Sequence, residues 1–284
     1  MALLIVPTIR RLSASDMPPV AVARPVIPHI AYTAPTLPLA LFHRSLVERC
    51  GELQTQSAQF VRCQLSWPAI ERWCKRRTDV TIAIVAAGLG NVKSVKRMID
   101  YIGGEADLVD TPARLKDYSH IILPGVGAFD HGMDLLGQNG WDAEICKAAR
   151  ERGQIVMGIC LGMQLLCRGS EEGVKPGLGL IGGDVKRLES QDGSRIKIPH
   201  IGWSVTTPTQ TSPLFEMGGE ELRYYFVHGY SAHCDDEADV YARVDYGGPI
   251  VASIGRGNVM GAQFHPEKSH RFGMALLTKF MKVT

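Results

Sequence analysis

The chain has 284 residues, 45% of them hydrophobic, which is enough apolar material for one large core. It contains no apolar run of the ~18 residues that a membrane span requires, so we expect a soluble protein. The formal net charge is +2. The residues after position 78 carry 21 Lys and Arg against 25 Asp and Glu, so the body of the chain is mildly acidic and we expect no nucleic-acid partner.

The first 78 residues differ in composition from the rest of the chain. They contain half of the 16 prolines and carry 10 Lys and Arg against 4 Asp and Glu, whereas the remaining residues carry 21 against 25. Prolines at this density interrupt helices and strands. We therefore predict a disordered or non-domain N-terminal extension over residues 1–78 and one folded domain over residues 79–284. The Arg and Ser content of the extension leaves a transit peptide open as the alternative.

The seven cysteines form an odd number, and no two of them have C-x-x-C spacing. This pattern predicts neither a disulfide framework nor a zinc site, so we expect no metal and no cofactor. Unpaired thiols fit the reducing environment of the cytoplasm, which is the location we expect.

From residue 80 onward, the predicted elements alternate between strand and helix. The apolar run 80–85 predicts a buried strand, the glycine turn 88–91 follows it, and the spacing over 92–101 is typical of a helix. Further strands are predicted at 106–109, 121–123 and 155–157, with a helix at 141–152. Such alternation predicts an α/β fold with a mostly parallel central sheet and helices on both faces. In such a sheet, ligands bind beyond the carboxyl ends of the strands.

Beyond residue 175 the pattern changes to short strands typical of antiparallel pairing. They are predicted at 184–188, 224–227, 240–244, 250–254 and 259–264, the last two as a hairpin. We therefore expect a small antiparallel sheet beside the central one. The turn at Gly88 and Gly90 does not predict a dinucleotide site, because Lys93 occupies the position of the third glycine in that motif.

The stretch around Cys160 has the order strand, sharp turn, helix. Its spacing Gly158-x-Cys160-x-Gly162 is the cysteine version of the nucleophile elbow, in which flanking glycines let a strained turn hold a reactive side chain above the sheet. A thiol at a helix N-terminus is favoured as the thiolate, which is the form that attacks. The alternative is a buried structural cysteine, but the two glycines in this context favour a nucleophile.

A glycine loop follows the strand predicted at 121–123. It contains Gly125, Val126 and Gly127, and glycines let main-chain N–H groups approach a ligand closely, as an oxyanion hole requires. An ordinary glycine turn is the alternative. Because the loop and Cys160 both follow strands of the same sheet, we expect them to lie at the same edge.

A histidine and a carboxylate near the C-terminus could complete a catalytic site. In an extended stretch, residues two apart face the same side, so His265 and Glu267 can converge. His265 can then deprotonate Cys160, and Glu267 can orient the ring and stabilise the imidazolium. His200 and His228 compete for the role of base, but neither has an acid two residues later, and we interpret them as structural.

These motifs resemble a known family when they are taken together. The stretches that carry the resemblance are 158–164 (GICLGMQ), 265–267 (HPE), 90–95 (GNVKSV), 123–129 (LPGVGAF), 199–203 (PHIGW) and 225–228 (YFVH). They are similar to the class I (triad) glutamine amidotransferases and, among these, to the glutaminase subunits of imidazole glycerol phosphate synthase. The resemblance covers about residues 80 to 284.

The resemblance implies a flavodoxin-like α/β fold and the catalytic residues Cys160, His265 and Glu267. It implies hydrolysis of glutamine to glutamate and ammonia, with the ammonia channelled to a (β/α)8 barrel cyclase in a heterodimer that serves histidine biosynthesis. It also implies roles for other residues: oxyanion contacts from Gly125, Val126, Gly127 and Leu161, substrate contacts from Gln164, Gly229 and Tyr230, and partner contacts from Asn91 and Lys268.

The chain departs from the family pattern at two places. Ala86 and Ala87 stand where the family usually has Asp-Tyr, and Gly229 stands where it usually has Ser or Thr. Two other functions stay open at this point. One is an amidotransferase subunit that serves another acceptor, such as a surface sugar, and the other is a catalytically silent regulatory subunit, against which the intact catalytic residues argue.

Overall fold

The structure is a computed structural model that describes residues 80–191, 193 and 195–284. The predicted extension over residues 1–78 lies outside the described residues, so the domain boundary at residue 79 stays a prediction. None of the described helices combines the length and the apolar character needed to cross a membrane.

The described residues form eleven strands and five α-helices. In chain order these are β1 (Ile82–Val85), α1 (Val92–Tyr101), β2 (Ala106–Val109), β3 (His120–Gly125), α2 (Phe129–Gln138), α3 (Trp141–Arg150), β4 (Ile155–Cys160), α4 (Leu161–Leu165), β5 (Gly183–Arg187), β6 (His200–Pro208), β7 (Leu222–His228), β8 (Tyr230–Cys234), β9 (Val240–Asp245), β10 (Pro249–Arg256), β11 (Val259–Ala262) and α5 (His270–Phe280). Short 3-10 turns cover Pro112–Asp117, Glu237–Asp239 and Pro266–Lys268.

The central sheet has nine strands in the order β2-β1-β3-β4-β11-β10-β9-β6-β7. The first five are parallel, and the remaining strands continue the sheet with antiparallel pairing. Strands β5 and β8 form a separate two-stranded antiparallel sheet. The predicted α/β fold, with a mostly parallel central sheet and a small antiparallel one, is thereby confirmed.

Two apolar layers cover the faces of the central sheet, and alternate residues of β1 contribute to opposite layers. Ile82 and Ile84 belong to the layer that includes α1 and α5, whereas Ala83 and Val85 belong to the layer of α2, α3 and α4. Since both faces are covered, β1, β3, β4 and β11 are buried along their whole length. This explains why their sequences are continuous apolar runs.

Most predicted elements are present, with small shifts at their ends. The helix at 92–101 and the strand at 106–109 have the predicted bounds, and β10 and β11 form the predicted hairpin, with Arg256 paired to Val259. The sequence pattern does not predict α2, α5, β6 and β8. Helix α2 contains Gly132 and Gly137, which weaken a helical signal.

Strand β6 is not apparent from the sequence because its polarity is inverted. It buries His200 and exposes Ile201, Trp203 and Val205, so the side that faces outward is the apolar one. A pattern search that assigns apolar residues to the core places this strand wrongly or misses it.

The turn between β4 and α4 holds Cys160 in an unusual backbone conformation, with φ 55° and ψ −113°. The glycines on either side pack backbone against backbone. A Cβ on Gly158 would lie 2.5 Å from the carbonyl oxygen of Gly162, and one on Gly162 would lie 1.8 Å from that of Leu123. The glycines therefore allow β3, β4 and α4 to approach closely enough to form the predicted elbow.

We expect Gly162→Ala to lower the thermal unfolding midpoint, because its methyl carbon would overlap the Leu123 carbonyl. Overpacking of this kind costs about 1–3 kcal/mol, or roughly 2–12 °C in a domain of this size. Gly219→Ala is the control, since a Cβ there meets no heavy atom within 4 Å. Calorimetry on both variants is the measurement, and equal midpoints would contradict the close backbone contact.

Candidate active site

The structure brings Cys160, His265 and Glu267 together at the carboxyl edge of the central sheet. Strands β4 and β11 are parallel neighbours with Ile159 paired to Ala262, so the chain leaving each strand reaches the same edge. Nδ1 of His265 lies 2.7 Å from Oε1 of Glu267, and the Cys160 side chain lies close enough to the His265 ring to raise its pKa. All three side chains are almost fully buried.

The hydrogen bond to Glu267 decides which nitrogen of His265 faces the sulfur. A carboxylate can only accept, so Nδ1–H of His265 donates to Glu267 and Nε2 is left for Cys160. Burial by itself lowers the pKa of His265, but the interactions with Cys160 and Glu267 outweigh it and raise the pKa to about 9. The ring is therefore an imidazolium at neutral pH, and a cation beside the sulfur favours the thiolate.

The predicted oxyanion loop lies beside the elbow, with Gly125 of β3 paired to Cys160 of β4. The N–H of Val126 does not face the pocket, because it donates to the carbonyl of Leu89 over 2.7 Å. Leu161 is the first residue of α4, where N–H groups have no acceptor within the helix. In this state one candidate donor is placed beside the sulfur and the other is held by the neighbouring turn.

A pocket of about 260 Å³ opens onto Cys160 and is lined by Val126, Gly127, Leu161 and His265 among others. A larger groove of about 570 Å³ lies near β5, β8 and β10, and none of its lining residues belongs to the catalytic set. The smaller pocket is therefore the candidate substrate site.

The three predicted substrate-binding residues, Gln164, Gly229 and Tyr230, all line this pocket. The carbonyl of Gly229 accepts a hydrogen bond from the Leu188 N–H, and a Cβ on Gly229 would meet only Ile198 at the ordinary distance of 3.4 Å. A Cβ is thus tolerated here, so the backbone does not require glycine. Direct contact of these residues with glutamine stays a prediction.

The two predicted partner residues occupy different places. Lys268 is exposed, lines the pocket, and holds its Nζ over the ring of Tyr225 at 5.9 Å from the centroid. Asn91 caps helix α1, and its Oδ1 accepts from the Ser94 N–H over 3.3 Å. Lys268 is therefore available to a protein that covers the pocket, whereas Asn91 has a local structural role whether or not it meets a partner.

The competing histidines form a buried pair. Nδ1 of His200 lies 3.2 Å from Nε2 of His228, and Nδ1 of His228 lies 2.8 Å from the carbonyl oxygen of Tyr230. Burial lowers the pKa of both rings to about 4. His228 lines the pocket, but at neutral pH it is uncharged and its Nδ1–H is occupied, which fits the structural role predicted for it.

Sequence reasoning missed Gln263, which is fully buried beside Cys160, with its Nε2 3.8 Å from Sγ of that residue. The available signal was a single amide side chain in the otherwise apolar stretch 259–264. Within the described part of the chain, no group of three or more His, Cys, Asp or Glu side chains is arranged to hold a metal ion.

A family model described as glutamine amidotransferase class-I matches residues 40–283 of this chain. The chain is 41% identical over 207 residues to imidazole glycerol phosphate synthase subunit HisH 2 of Nitrobacter winogradskyi, with 71% of this chain and 97% of that protein covered. It is 42% identical over 205 residues to the HisH subunit of Bacillus subtilis, with 71% and 96% covered.

A solved crystal structure of a glutamine amidotransferase superposes on the chain with a TM-score of 0.55 at 21% identity, covering 72% of this chain and 98% of that one. At this identity the superposition supports the fold alone. The family model spans well over half of the chain, and the two sequence relatives are covered almost completely. The chain therefore belongs to the class-I glutamine amidotransferase family.

Proposed function

We propose that this chain is the glutaminase subunit of an imidazole glycerol phosphate synthase, which hydrolyses glutamine and delivers ammonia to a cyclase subunit in histidine biosynthesis. The observation that carries the proposal is that Cys160 lies beside His265, which is hydrogen-bonded to Glu267, in a pocket at the nucleophile elbow. Identity of about 40% over nearly the full length of subunits with this name supports the choice of acceptor.

The first half of the reaction is acylation of Cys160. The thiolate attacks the side-chain amide carbon of glutamine and forms a tetrahedral intermediate, whose oxyanion faces main-chain N–H groups. When the C–N bond breaks, the His265 imidazolium gives its Nε2 proton to the departing nitrogen, which leaves as ammonia. The products of this half are a thioester on Cys160 and a neutral His265.

The second half is hydrolysis of the thioester. Neutral His265 removes a proton from a water molecule, and the resulting hydroxide attacks the thioester carbonyl carbon. The C–S bond then breaks, which releases glutamate and restores the thiolate beside the imidazolium. Glu267 holds the ring in one tautomer through both halves, because its carboxylate accepts from Nδ1–H throughout.

An exposed apolar face near the pocket supports docking of the cyclase. On β6, Ile201 is 59%, Trp203 45% and Val205 42% exposed. Trp203 is paired across the sheet with Tyr225, over whose ring Lys268 lies at the pocket. A patch of this kind marks a protein interface. A partner seated there would cover the pocket and give ammonia a path away from bulk solvent.

A cytoplasmic location belongs to the same proposal. The four cysteines of the described residues, Cys146, Cys160, Cys167 and Cys234, are all free thiols. Free thiols persist in a reducing compartment, and the proposed chemistry requires one of them.

We expect Cys160→Ala to abolish glutamate release by the complex with the cyclase, because no thioester can form without the sulfur. His265→Ala should be almost as severe. Cys146→Ala is the matched control and should retain activity, since that thiol lies in α3 and donates to the Leu178 carbonyl. Substantial glutaminase activity in Cys160→Ala would rule out the proposed nucleophile.

The isolated subunit should hydrolyse glutamine slowly until the cyclase and its nucleotide are bound. Val126 lies between two glycines, so a flip of its peptide group is sterically cheap. The flip would break the hydrogen bond from the Val126 N–H to the Leu89 carbonyl and turn this N–H toward the oxyanion. One such donor contributes on the order of 100- to 1,000-fold in turnover. Val126→Pro, which has no N–H, should therefore lose most of the activation, whereas Val126→Ala should keep it.

The measurement is glutamate release by wild type, Val126→Pro and Val126→Ala, each alone and with saturating cyclase and nucleotide. Complex formation is checked separately by gel filtration. Equal rates for wild type and Val126→Pro in the two liganded complexes would exclude the switch.

The rate should also fall at high pH. The pKa of His265 is raised to about 9, so the imidazolium is present at neutral pH and is lost as the pH rises through that value. A deprotonated ring cannot protonate the leaving ammonia. Glu267→Gln removes one contact that raises this pKa, so its rate should fall at lower pH than that of wild type. A kcat profile for both complexes tests this, and coincident profiles would contradict the role of Glu267.

A further inference from the structure

The amide of Gln263 connects the nucleophile to a second buried amide. Its Nε2 lies 3.8 Å from Sγ of Cys160, and its Oε1 accepts from Nε2 of Gln164 over 3.0 Å. Gln263 has no exposed surface and Gln164 is 5% exposed. The two side chains therefore form a closed pair beside the sulfur rather than a surface contact.

The orientation of both amides follows from one carbonyl group. The carbonyl oxygen of Tyr230 lies 3.1 Å from Gln164 and can only accept, so the Gln164 group facing it must be the NH2. The second N–H of this NH2 then donates to Gln263, so the accepting atom of Gln263 must be Oε1. Its NH2 is consequently turned toward Cys160. The Tyr230 carbonyl thus orients Gln164, and Gln164 orients Gln263. As a result the Cys160 sulfur faces a hydrogen-bond donor.

The Tyr230 carbonyl also determines the tautomers of the buried histidine pair, His200 and His228. Nδ1 of His228 must donate to the Tyr230 carbonyl, so Nε2 of His228 accepts from Nδ1–H of His200. Nε2 of His200 then accepts from the hydroxyl of Ser204 over 2.8 Å. Both lone pairs of the Tyr230 carbonyl are thereby used. The rings stay neutral near pH 7, because burial lowers the pKa of each to about 4.

The donor beside Cys160 matters chemically because the sulfur also faces a hydrogen-bond acceptor. Sγ of Cys160 lies 3.7 Å from the carbonyl oxygen of Val227. That oxygen accepts from a thiol but repels a thiolate. The N–H of Gln263 has the opposite effect, since hydrogen bonds to a charged acceptor are stronger than those to a neutral one. The donor of Gln263 thus offsets the carbonyl and favours the form of the sulfur that attacks.

We propose that Gln263 is a further catalytic residue that stabilises the Cys160 thiolate through its side-chain N–H, and that Gln164, His228 and His200 are positioning residues that hold this amide in place. The inference rests on the proposed function in one respect, which is the role of Cys160 as nucleophile. It assigns Gln164 a task beyond substrate contact, since both N–H groups of its amide are used inside the protein.

The test uses the complex with the cyclase and its nucleotide. Gln263→Glu nearly preserves the shape of the side chain and, as the carboxylate, keeps the acceptor for Gln164 but presents no donor to the sulfur. Gln263→Met removes the amide entirely and so has no donor in any protonation state. In both variants, alkylation of Cys160 by iodoacetamide at neutral pH, followed by mass spectrometry of its peptide, should slow by about 10- to 100-fold. The value of kcat should fall by a similar factor while KM changes little.

Gln154→Met is the matched control. Gln154 is also a buried amide, and it donates to the Leu115 carbonyl at the opposite end of β4. This variant should lower the unfolding midpoint and leave the alkylation rate of Cys160 unchanged. Alkylation and kcat at wild-type values in both Gln263→Glu and Gln263→Met would overturn the proposal.

A double-mutant cycle tests whether His228 acts as a positioning residue through Gln263. His228→Leu should slow alkylation by a smaller factor than Gln263→Met, and His228→Asn should restore much of the rate, because its amide can replace the Nδ1–H donor. If His228 acts through Gln263, then Gln263→Met combined with His228→Leu is no slower than Gln263→Met alone. Additive losses would show that His228 acts separately and would remove it from the network.

The proposed function and this inference fail in different ways. Glutaminase activity in Cys160→Ala would refute the nucleophile and with it the proposed function. An inactive Cys160→Ala together with normal Gln263→Glu and Gln263→Met would leave the proposed function intact and refute only the role of Gln263.

Discussion

The catalytic region depends on the close approach of three backbone segments. Gly162 at the start of α4 lies against the carbonyl of Leu123 in β3, and Gly158 in β4 lies against Gly162. The sharp turn in which Cys160 has φ 55° lies at this contact. The contact also brings the end of β3, and hence the oxyanion loop, beside the sulfur. One steric constraint therefore places Cys160, the candidate nucleophile, and the candidate oxyanion loop together.

The order of strands in the sheet places the other residues of the candidate site. Strand β11 is the parallel neighbour of β4, so Gln263 and His265 follow it to the edge where Cys160 lies. Strands β6 and β7 belong to the antiparallel half, and they supply His200, His228 and the exposed apolar face. The parallel half thus carries the residues of the proposed covalent chemistry, while the antiparallel half contributes the pocket wall and the proposed docking surface.

Features with a local sequence signal could be predicted, and features set by distant pairing could not. The elbow around Cys160 and the i, i+2 pair of His265 and Glu267 are local patterns. The contact of Gln263 with Cys160 depends on the register between β4 and β11, which join residues about a hundred positions apart. The direction of the Val126 N–H depends likewise on Leu89. The family model begins at residue 40, within the predicted extension, so the boundary at residue 79 stays a prediction.

The buried histidine pair makes the pocket wall sensitive to acid. Burial lowers the pKa of His200 and His228 to about 4 in the folded chain, whereas an exposed histidine has a pKa of about 6.5. Between these values the unfolded chain binds more protons than the native one, so the native state loses stability as the pH falls from about 6.5 toward 4. Protonation would also set two like charges against each other across the 3.2 Å contact. The histidine pair that orders the pocket at neutral pH therefore destabilises the folded chain when the pH falls toward 4.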